Sequence, residues 1–355
     1  MNRLRNAVIA SVLLLASCLV VFGLTEATVR LFFPGTIQPR FVRDSGFGIR
    51  DNQPNVHTRH YDPQDYEVRI STNSDGLRGT REYSRTPALG TRRIAFLGDS
   101  FVFGYGCNDN QVVSAVLESL LNGARTTGAS LWEVPNFGVS GYGQAEELVL
   151  YRNKVRPYHP DADVLFYFDN DIGNNAVSGI FAIGKDGGVE PTGKSFLPGI
   201  AVQEWMLYKI PMLQWFFEHS QAWNLVRNRL SSLVQRRMLK KVNMKYHTDT
   251  TPEARALTRA LLLELANEVK RDGSRFIVMV IPMPDLSSNF PFSGEELQGT
   301  GITVIDGRGF LSKEDYYPHD GHWKPSGHRK AAEALTSLFT SGEDLNNARA
   351  AMRHQ

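Results

Sequence analysis

Four stretches of this sequence carry residue types suited to acyl transfer. In 92-RRIAFLGDSFVFGYG-106 an apolar run ends on a glycine, an acid and a serine, Gly98-Asp99-Ser100. A serine hydroxyl is a poor nucleophile at neutral pH and needs a base, usually histidine, to take its proton. The imidazole in turn needs an acid to fix its tautomer and steady the imidazolium. The stretch 319-HDGHWKPSGHR-329 offers both, with Asp320 two residues before His322 and a helix start at Pro325. Attack on an ester also puts negative charge on the former carbonyl oxygen, and donors aimed there are commonly the largest electrostatic contribution. Gly141 in 136-NFGVSGYG-143 offers an unobstructed backbone N–H, and Asn170 in 168-FDND-171 a side-chain amide. Each has an ordinary reading as well: Ser100 as a helix cap, His322 as a surface residue, Asp320, Gly141 and Asn170 as turn formers. The set is more specific than its members, because three of the stretches come directly after a strand and the fourth precedes the last helix.

The elements that must position these residues alternate. Ile94–Leu97 reads as a strand, 110–123 as a helix, Trp132–Pro135 as a short strand, and Gln144 to about Val155 as a helix. The run 163–168 is apolar after its leading Asp163, as in a strand covered on both faces. A helix over 252–273, strands at 276–282 and Ile302–Ile305, and a closing helix over 325–339 complete the series. The alternation predicts a three-layer α/β/α domain with a parallel sheet. Sites in such sheets form at the carboxyl ends of strands, where Ser100 falls. Glycines beside it let the backbone turn sharply.

The chain has 355 residues, 42% hydrophobic and 21% charged, with a formal net charge of +2. No basic stripe with interleaved aromatics is present, which argues against a nucleic-acid partner. Residues 7-AVIASVLLLASCLVVFGL-24 carry no charge and come after Arg3 and Arg5. As a helix they cover roughly 27 Å, close to a bilayer core, with the arginines on the cytoplasmic side. The span reads as an uncleaved anchor. A cleaved secretory signal and a lipidated Cys18 in 15-LASC-18 are the alternatives. Cys107 then has no partner for an intramolecular disulfide and reads as a small packed residue. Residues 66–79 alternate like a strand and end on an Asp75-Gly76 turn, inside a β-rich extension over 25–90. Between Ser178 and Tyr246 the alternation breaks into a Gly/Pro-rich stretch and then a helical segment with Trp205, Trp215, Phe216, Phe217 and Trp223. That insertion reads as packing on the domain, with a cleft cover or a membrane-facing patch as the other readings. Its basic run, Arg236, Arg237, Lys240 and Lys241, reads as a solvated face.

From Arg92 to Phe339 the sequence resembles the SGNH (GDSL-like) hydrolases. Gly98-Asp99-Ser100-Phe101 is similar to the first block of that family, Asn136 through Gly141 to the second, Phe168-Asp169-Asn170-Asp171 to the third, and Asp320-Gly321-His322 to the last. The resemblance implies a flavodoxin-like sheet, Ser100 as nucleophile, His322 as base, Asp320 as acid, and an oxyanion hole from Ser100, Gly141 and Asn170. It implies no metal and no organic cofactor, with Asp99 structural. Two departures stand out: Phe168 replaces the glycine that usually opens the third block, and the acid lies two rather than three residues before the base, with Trp323 next in the chain. His319 occupies the usual acid position. His328 falls within a helical pattern and reads as packed there.

The Asp-x-His-Trp form is similar to that of relatives that acetylate or deacetylate bacterial polysaccharides. The layout is similar to bacterial membrane-anchored members: a cytoplasmic tail over 1–6, an anchor over 7–24, the extension over 25–90, a hydrolase domain over 91–341 with its insertion at 179–246, and a tail over 342–355. The expectation is a single-pass protein of the bacterial cytoplasmic membrane with its domain in the periplasm or outside. The expected activity is that of an esterase removing short acyl groups from a glycan or lipid. The alternative is a polysaccharide O-acyltransferase using the same triad with a membrane partner that delivers the acyl group.

Overall fold

A computed structural model describes residues 2–37, 41–123, 130–200, 211–242 and 251–340. Five parallel strands form the central sheet: β5 (Thr91–Leu97), β6 (Leu131–Glu133), β7 (Ala162–Tyr167), β10 (Arg275–Val280) and β11 (Thr303–Asp306), in the order β11-β10-β7-β5-β6. Numbered within the sheet this is the 2-1-3-4-5 order, whose switch point lies between β5 and β7. The expected three-layer α/β/α fold is therefore what the chain adopts. Alternate residues of the same strands serve the two faces. Ile94, Phe96, Val164 and Phe166 pack with α2 (Ser100–Phe103), α3 (Val113–Gly123) and α9 (Pro325–Thr340). Ala95, Leu97, Leu165 and Tyr167 pack with α4 (Gln144–Leu150), α5 (Asn170–Ser178) and α8 (Pro252–Arg271). A strand buried on both faces needs no polar alternation, hence the unbroken apolar runs.

The helix expected over Gln144–Val155 is α-helical only to Leu150 and widens to a π-turn over Tyr151–Val155. There Lys154 is buried and pairs with Asp51 at 2.7 Å.

The extension holds two antiparallel pairs, β1 (Val42–Asp44) with β2 (Arg50–Asn52), and β3 (His57–Asp62) with β4 (Tyr66–Ser71). In β4 the alternation expected from the sequence turns Tyr66, Val68 and Ile70 inward. Arg78, just past the turn, is buried. Its guanidinium donates to the Phe103 carbonyl at 2.8 Å and the Cys107 carbonyl at 2.9 Å and pairs with Asp109. The extension is thus fastened to the loop after the Ser100 turn.

The N-terminal helix, α1 (Asn2–Phe32), carries one span long and apolar enough to cross a membrane, with mean hydropathy 2.7 in its best window. The insertion opens with an antiparallel hairpin, β8 (Phe181–Ile183) and β9 (Val189–Pro191), which the Gly/Pro-rich composition had hidden. Among the described residues that come after it are two helices, α6 (Pro211–His219) and α7 (Gln221–Val242). Trp205 lies outside the described residues. Among the aromatics, the described contacts of Phe216 and Trp215 lead away from the sheet. Phe216 meets Phe22 of α1 edge to face at 5.6 Å, and Trp215 is exposed, stacked on His219. Glu26 of α1 caps α7, accepting from Ser220 Oγ at 2.7 Å and from the N–H groups of Gln221 and Ala222 at 2.8 and 3.0 Å. A carboxylate on free helix N–H groups is worth about 1 kcal/mol.

Candidate active site

The serine turn is built by a backbone that only glycine allows. Gly98 has φ +153°, and a Cβ there would lie 2.4 Å from Val102 Cγ2. The chain therefore leaves β5 sharply and enters α2 at Ser100. Asp99 caps that turn, accepting the Phe101 N–H at 2.9 Å, and its other oxygen accepts from Asn170 Nδ2 at 3.3 Å. Asp99 is thus structural, and burial raises its carboxyl pKa above the usual range.

The second loop runs beside the end of β5. The N–H groups of Phe137 and Val139 donate to the carbonyls of Phe96 and Gly98, at 2.9 and 3.0 Å. Asn136 fixes it from below, donating to the Val102 carbonyl at 2.7 Å and accepting the Gly138 N–H at 2.9 Å. Gly141 lies beyond it at φ +76°, a conformation that an L side chain resists, with Arg50 donating to its carbonyl at 3.3 Å. Asn170 opens α5 straight after β7. Its amide spends one N–H on Asp99, and its Oδ1 is buried without a partner. Ser100 and Asn170 thus leave the two strands that flank the switch point.

The fourth loop closes from the other side. His322 Nε2 lies 2.7 Å from Ser100 Oγ, and His322 Nδ1 meets Asp320 Oδ1. Asp320 Oδ1 also accepts the His322 N–H at 3.2 Å, so the acid and base share one tight turn with Gly321 at φ +83°. Trp323 is fully buried against Phe101 and Phe166, which pins the end of this loop into the core. Phe101 and Tyr105 flank the imidazole at 5.0 and 5.4 Å. Burial alone would raise the Asp320 carboxyl, but hydrogen bonds with His322 and Tyr66 outweigh it and hold the group at about 2. Asp320 is therefore a carboxylate facing an imidazole, and the imidazole faces a hydroxyl.

His319 points elsewhere, onto Asp65 at 3.0 Å. His328 is buried in α9, where its Nδ1 accepts the Val113 N–H at 3.2 Å and burial lowers its pKa to about 3. Cys107 is fully buried, and burial pushes its thiol up to about 12, which removes it as a nucleophile. Phe168, in the place usually held by glycine, packs its ring 4.6 Å from Phe101 and leaves Asn170 in position.

Sequence reasoning missed three residues of the extension. Tyr66 OH donates to Asp320 Oδ2 at 2.9 Å, His60 Nε2 lies 3.2 Å from the same phenol, and Asp65 accepts the N–H groups of His319 and Asp320 at 3.0 and 2.7 Å. The one signal was that Tyr66 heads the inward face of β4.

No protein-family model matches the sequence, and no curated protein matches it. Solved structures do align with the chain. A lipolytic protein of the G-D-S-L family from Desulfitobacterium hafniense is 11% identical with a TM-score of 0.39, covering 70% of this chain and 99% of its own. TesA is 13% identical with a TM-score of 0.41, covering 70% and 98%. The acetylxylan esterase Axe2 from Geobacillus stearothermophilus is 13% identical with a TM-score of 0.38, covering 72% and 95%.

Proposed function

We propose that the chain is a serine esterase of the SGNH type that cleaves ester-linked acyl groups through an acyl-serine intermediate. The observation that carries this is the contact of Ser100 Oγ with His322 Nε2 at 2.7 Å, with Asp320 on the other ring nitrogen. His322 takes the hydroxyl proton as Ser100 Oγ bonds to the ester carbon. Asp320 holds the imidazole in the Nδ1–H tautomer and steadies the imidazolium. The N–H groups of Ser100 and Gly141 and the uncommitted N–H of the Asn170 amide hold the oxyanion. The C–O bond to the alcohol breaks as His322 returns the proton to the leaving oxygen. Water repeats the cycle in reverse order and frees the acid.

The substrate proposed is a short acyl ester on an extracytoplasmic glycan or lipid. The location rests on α1, whose apolar span comes after two arginines and extends as one helix to Phe32. Full-length protein in detergent is incubated with a fluorophosphonate probe and a short-chain aryl ester. Labelling at Ser100 is expected, with turnover reduced at least about a thousandfold in Ser100→Ala and His322→Ala. Equal turnover in all three proteins would sink the reading. Products from an acetylated glycan, with and without an unacetylated acceptor, then separate release to water from transfer to sugar.

A further inference from the structure

The line of contacts does not stop at Asp320, and its direction comes from counting protons. A carboxylate only accepts. Tyr66 has one hydroxyl proton, and its oxygen lies 2.9 Å from Asp320 Oδ2 and 3.2 Å from His60 Nε2. The phenol therefore donates to Asp320 and accepts from His60, which fixes His60 as the Nε2–H tautomer. In that tautomer Nδ1 carries no proton, and His60 Nδ1 is indeed a buried atom with no hydrogen-bond partner. His60 is fully buried, its ring edge-on to Tyr66 at 4.9 Å and to Tyr105 at 4.8 Å. The charged groups facing it are Asp320, His322, Asp62 and Arg78, and burial dominates, lowering its pKa to about 4. Burial and the Asp320 charge push the Tyr66 phenol far upward, so it keeps the proton that it donates.

Asp320 needs such a partner. Its Oδ1 already takes both the ring and the backbone N–H of His322, because acid and base share one turn. Its Oδ2 faces the extension, where Tyr66 meets it and the neighbouring Asp65 holds the backbone of the same turn.

We propose that Tyr66, backed by His60, is a positioning residue that orients the carboxylate of Asp320 toward His322. This rests on reading Ser100, His322 and Asp320 as an acyl-transfer site. The catalytic line then has five members, and its last two belong to the β3–β4 pair outside the sheet domain. Loss of the phenol leaves one carboxylate oxygen buried and unpaired, makes the carboxylate more basic, and frees it to rotate.

The test compares Tyr66→Phe, His60→Gln and Tyr83→Phe in the full-length protein. Tyr83 is the control, a phenol that bonds Glu118 instead. In Tyr66→Phe, kcat for the aryl ester should fall about ten- to a hundredfold, the size of one lost hydrogen bond to a charged group, with KM within about twofold. The acid limb of its kcat/KM profile should move to higher pH, because a more basic carboxylate holds the imidazolium more tightly. His60→Gln, which keeps a donor, should lose less. Independently of turnover, the far-downfield proton of the His322 Nδ1–H···Asp320 bond, assigned by its absence in His322→Ala, should shift in Tyr66→Phe and stay put in Tyr83→Phe. A Tyr66→Phe protein with wild-type kcat, pH profile and downfield proton overturns the proposal, as does an equal loss in Tyr83→Phe. A wild type without Ser100-dependent turnover fails the esterase reading alone, and the proton signal still decides whether Tyr66 orients Asp320.

Discussion

On the nucleophile side of the site, Ser100 and Asn170 leave β5 and β7 directly, and the Gly141 loop is stitched to the end of β5 by backbone hydrogen bonds. On the base side, Asp320 and His322 occupy a loop that no strand delivers. That loop is held by the buried Trp323 at one end and by Asp65 and Tyr66 of the extension along its flank. One half of the candidate site is therefore placed by the sheet, and the other by a loop held between the core of the domain and a separate module. Orientation on the first side is set chiefly by backbone geometry, with Gly98 and the side chains of Asp99 and Asn136 as its sensitive points. On the second it is set by a few charge-assisted hydrogen bonds, each removable by one substitution.

The comparison predicts an asymmetry in activity. Asp320→Asn replaces an acceptor with an amide that can favour the wrong imidazole tautomer, and kcat should fall on the order of a thousandfold or more. Asn170→Ala removes one of the three proposed oxyanion donors, and kcat should fall on the order of a hundredfold with KM little changed. Steady-state kinetics on one aryl ester checks both. A larger loss in Asn170→Ala than in Asp320→Asn would reverse the ranking of the two sides.

A weaker contrast concerns acid and base stability. Behind the serine lie Asp99, Glu146, Glu147 and Asp171, all buried, and burial raises each carboxyl above the ordinary range, Glu146 to about 7. A carboxyl raised in the fold contributes stability that is full below its unfolded pKa of 4.5 and is lost as pH rises through 7. The base side carries the opposite sign. His60, lowered from 6.5 to about 4, contributes stability that is full above 6.5 and is lost as pH falls toward 4. Each contributes a swing of about 3 kcal/mol across its window. Glu146→Gln should therefore raise the melting temperature relative to wild type at pH 7.5 more than at pH 4.5. His60→Gln should do so more at pH 4.5 than at pH 7.5. Thermal melts at the two pH values check this, and parallel curves for all three proteins would erase the contrast.

Much of the sheet domain was legible because its signals are local. Runs such as Ile94–Leu97 and 163–168 announce strands by composition, and the loops after them could be ranked by the polar residues at each strand's carboxyl end. The serine turn was legible because Gly98-Asp99-Ser100 needs a backbone that few residues allow. Tyr66 and His60 were not, since the bond from Tyr66 to Asp320 spans 254 residues and depends on how one β pair docks. The β8–β9 hairpin was obscured because three-residue strands carry too few alternations to register. The partners of the aromatic insertion were not legible, because a stripe of Trp and Phe shows only that a face is apolar. What that face meets, here Phe22 of α1, is a tertiary fact.

The cap that Glu26 places on α7 has a mechanical consequence. The helix runs on for eight residues past Leu24, roughly 12 Å at the ordinary rise, before the chain turns. A flexible tether of that length would let the domain tumble above its attachment point. A rod bolted to its own cargo does not. With α1 embedded as proposed, Ser100 would ride at a set elevation and compass bearing over the lipid surface. Esters would then be processed in one thin slab of space, and a long polymer would have to be fed through that slab.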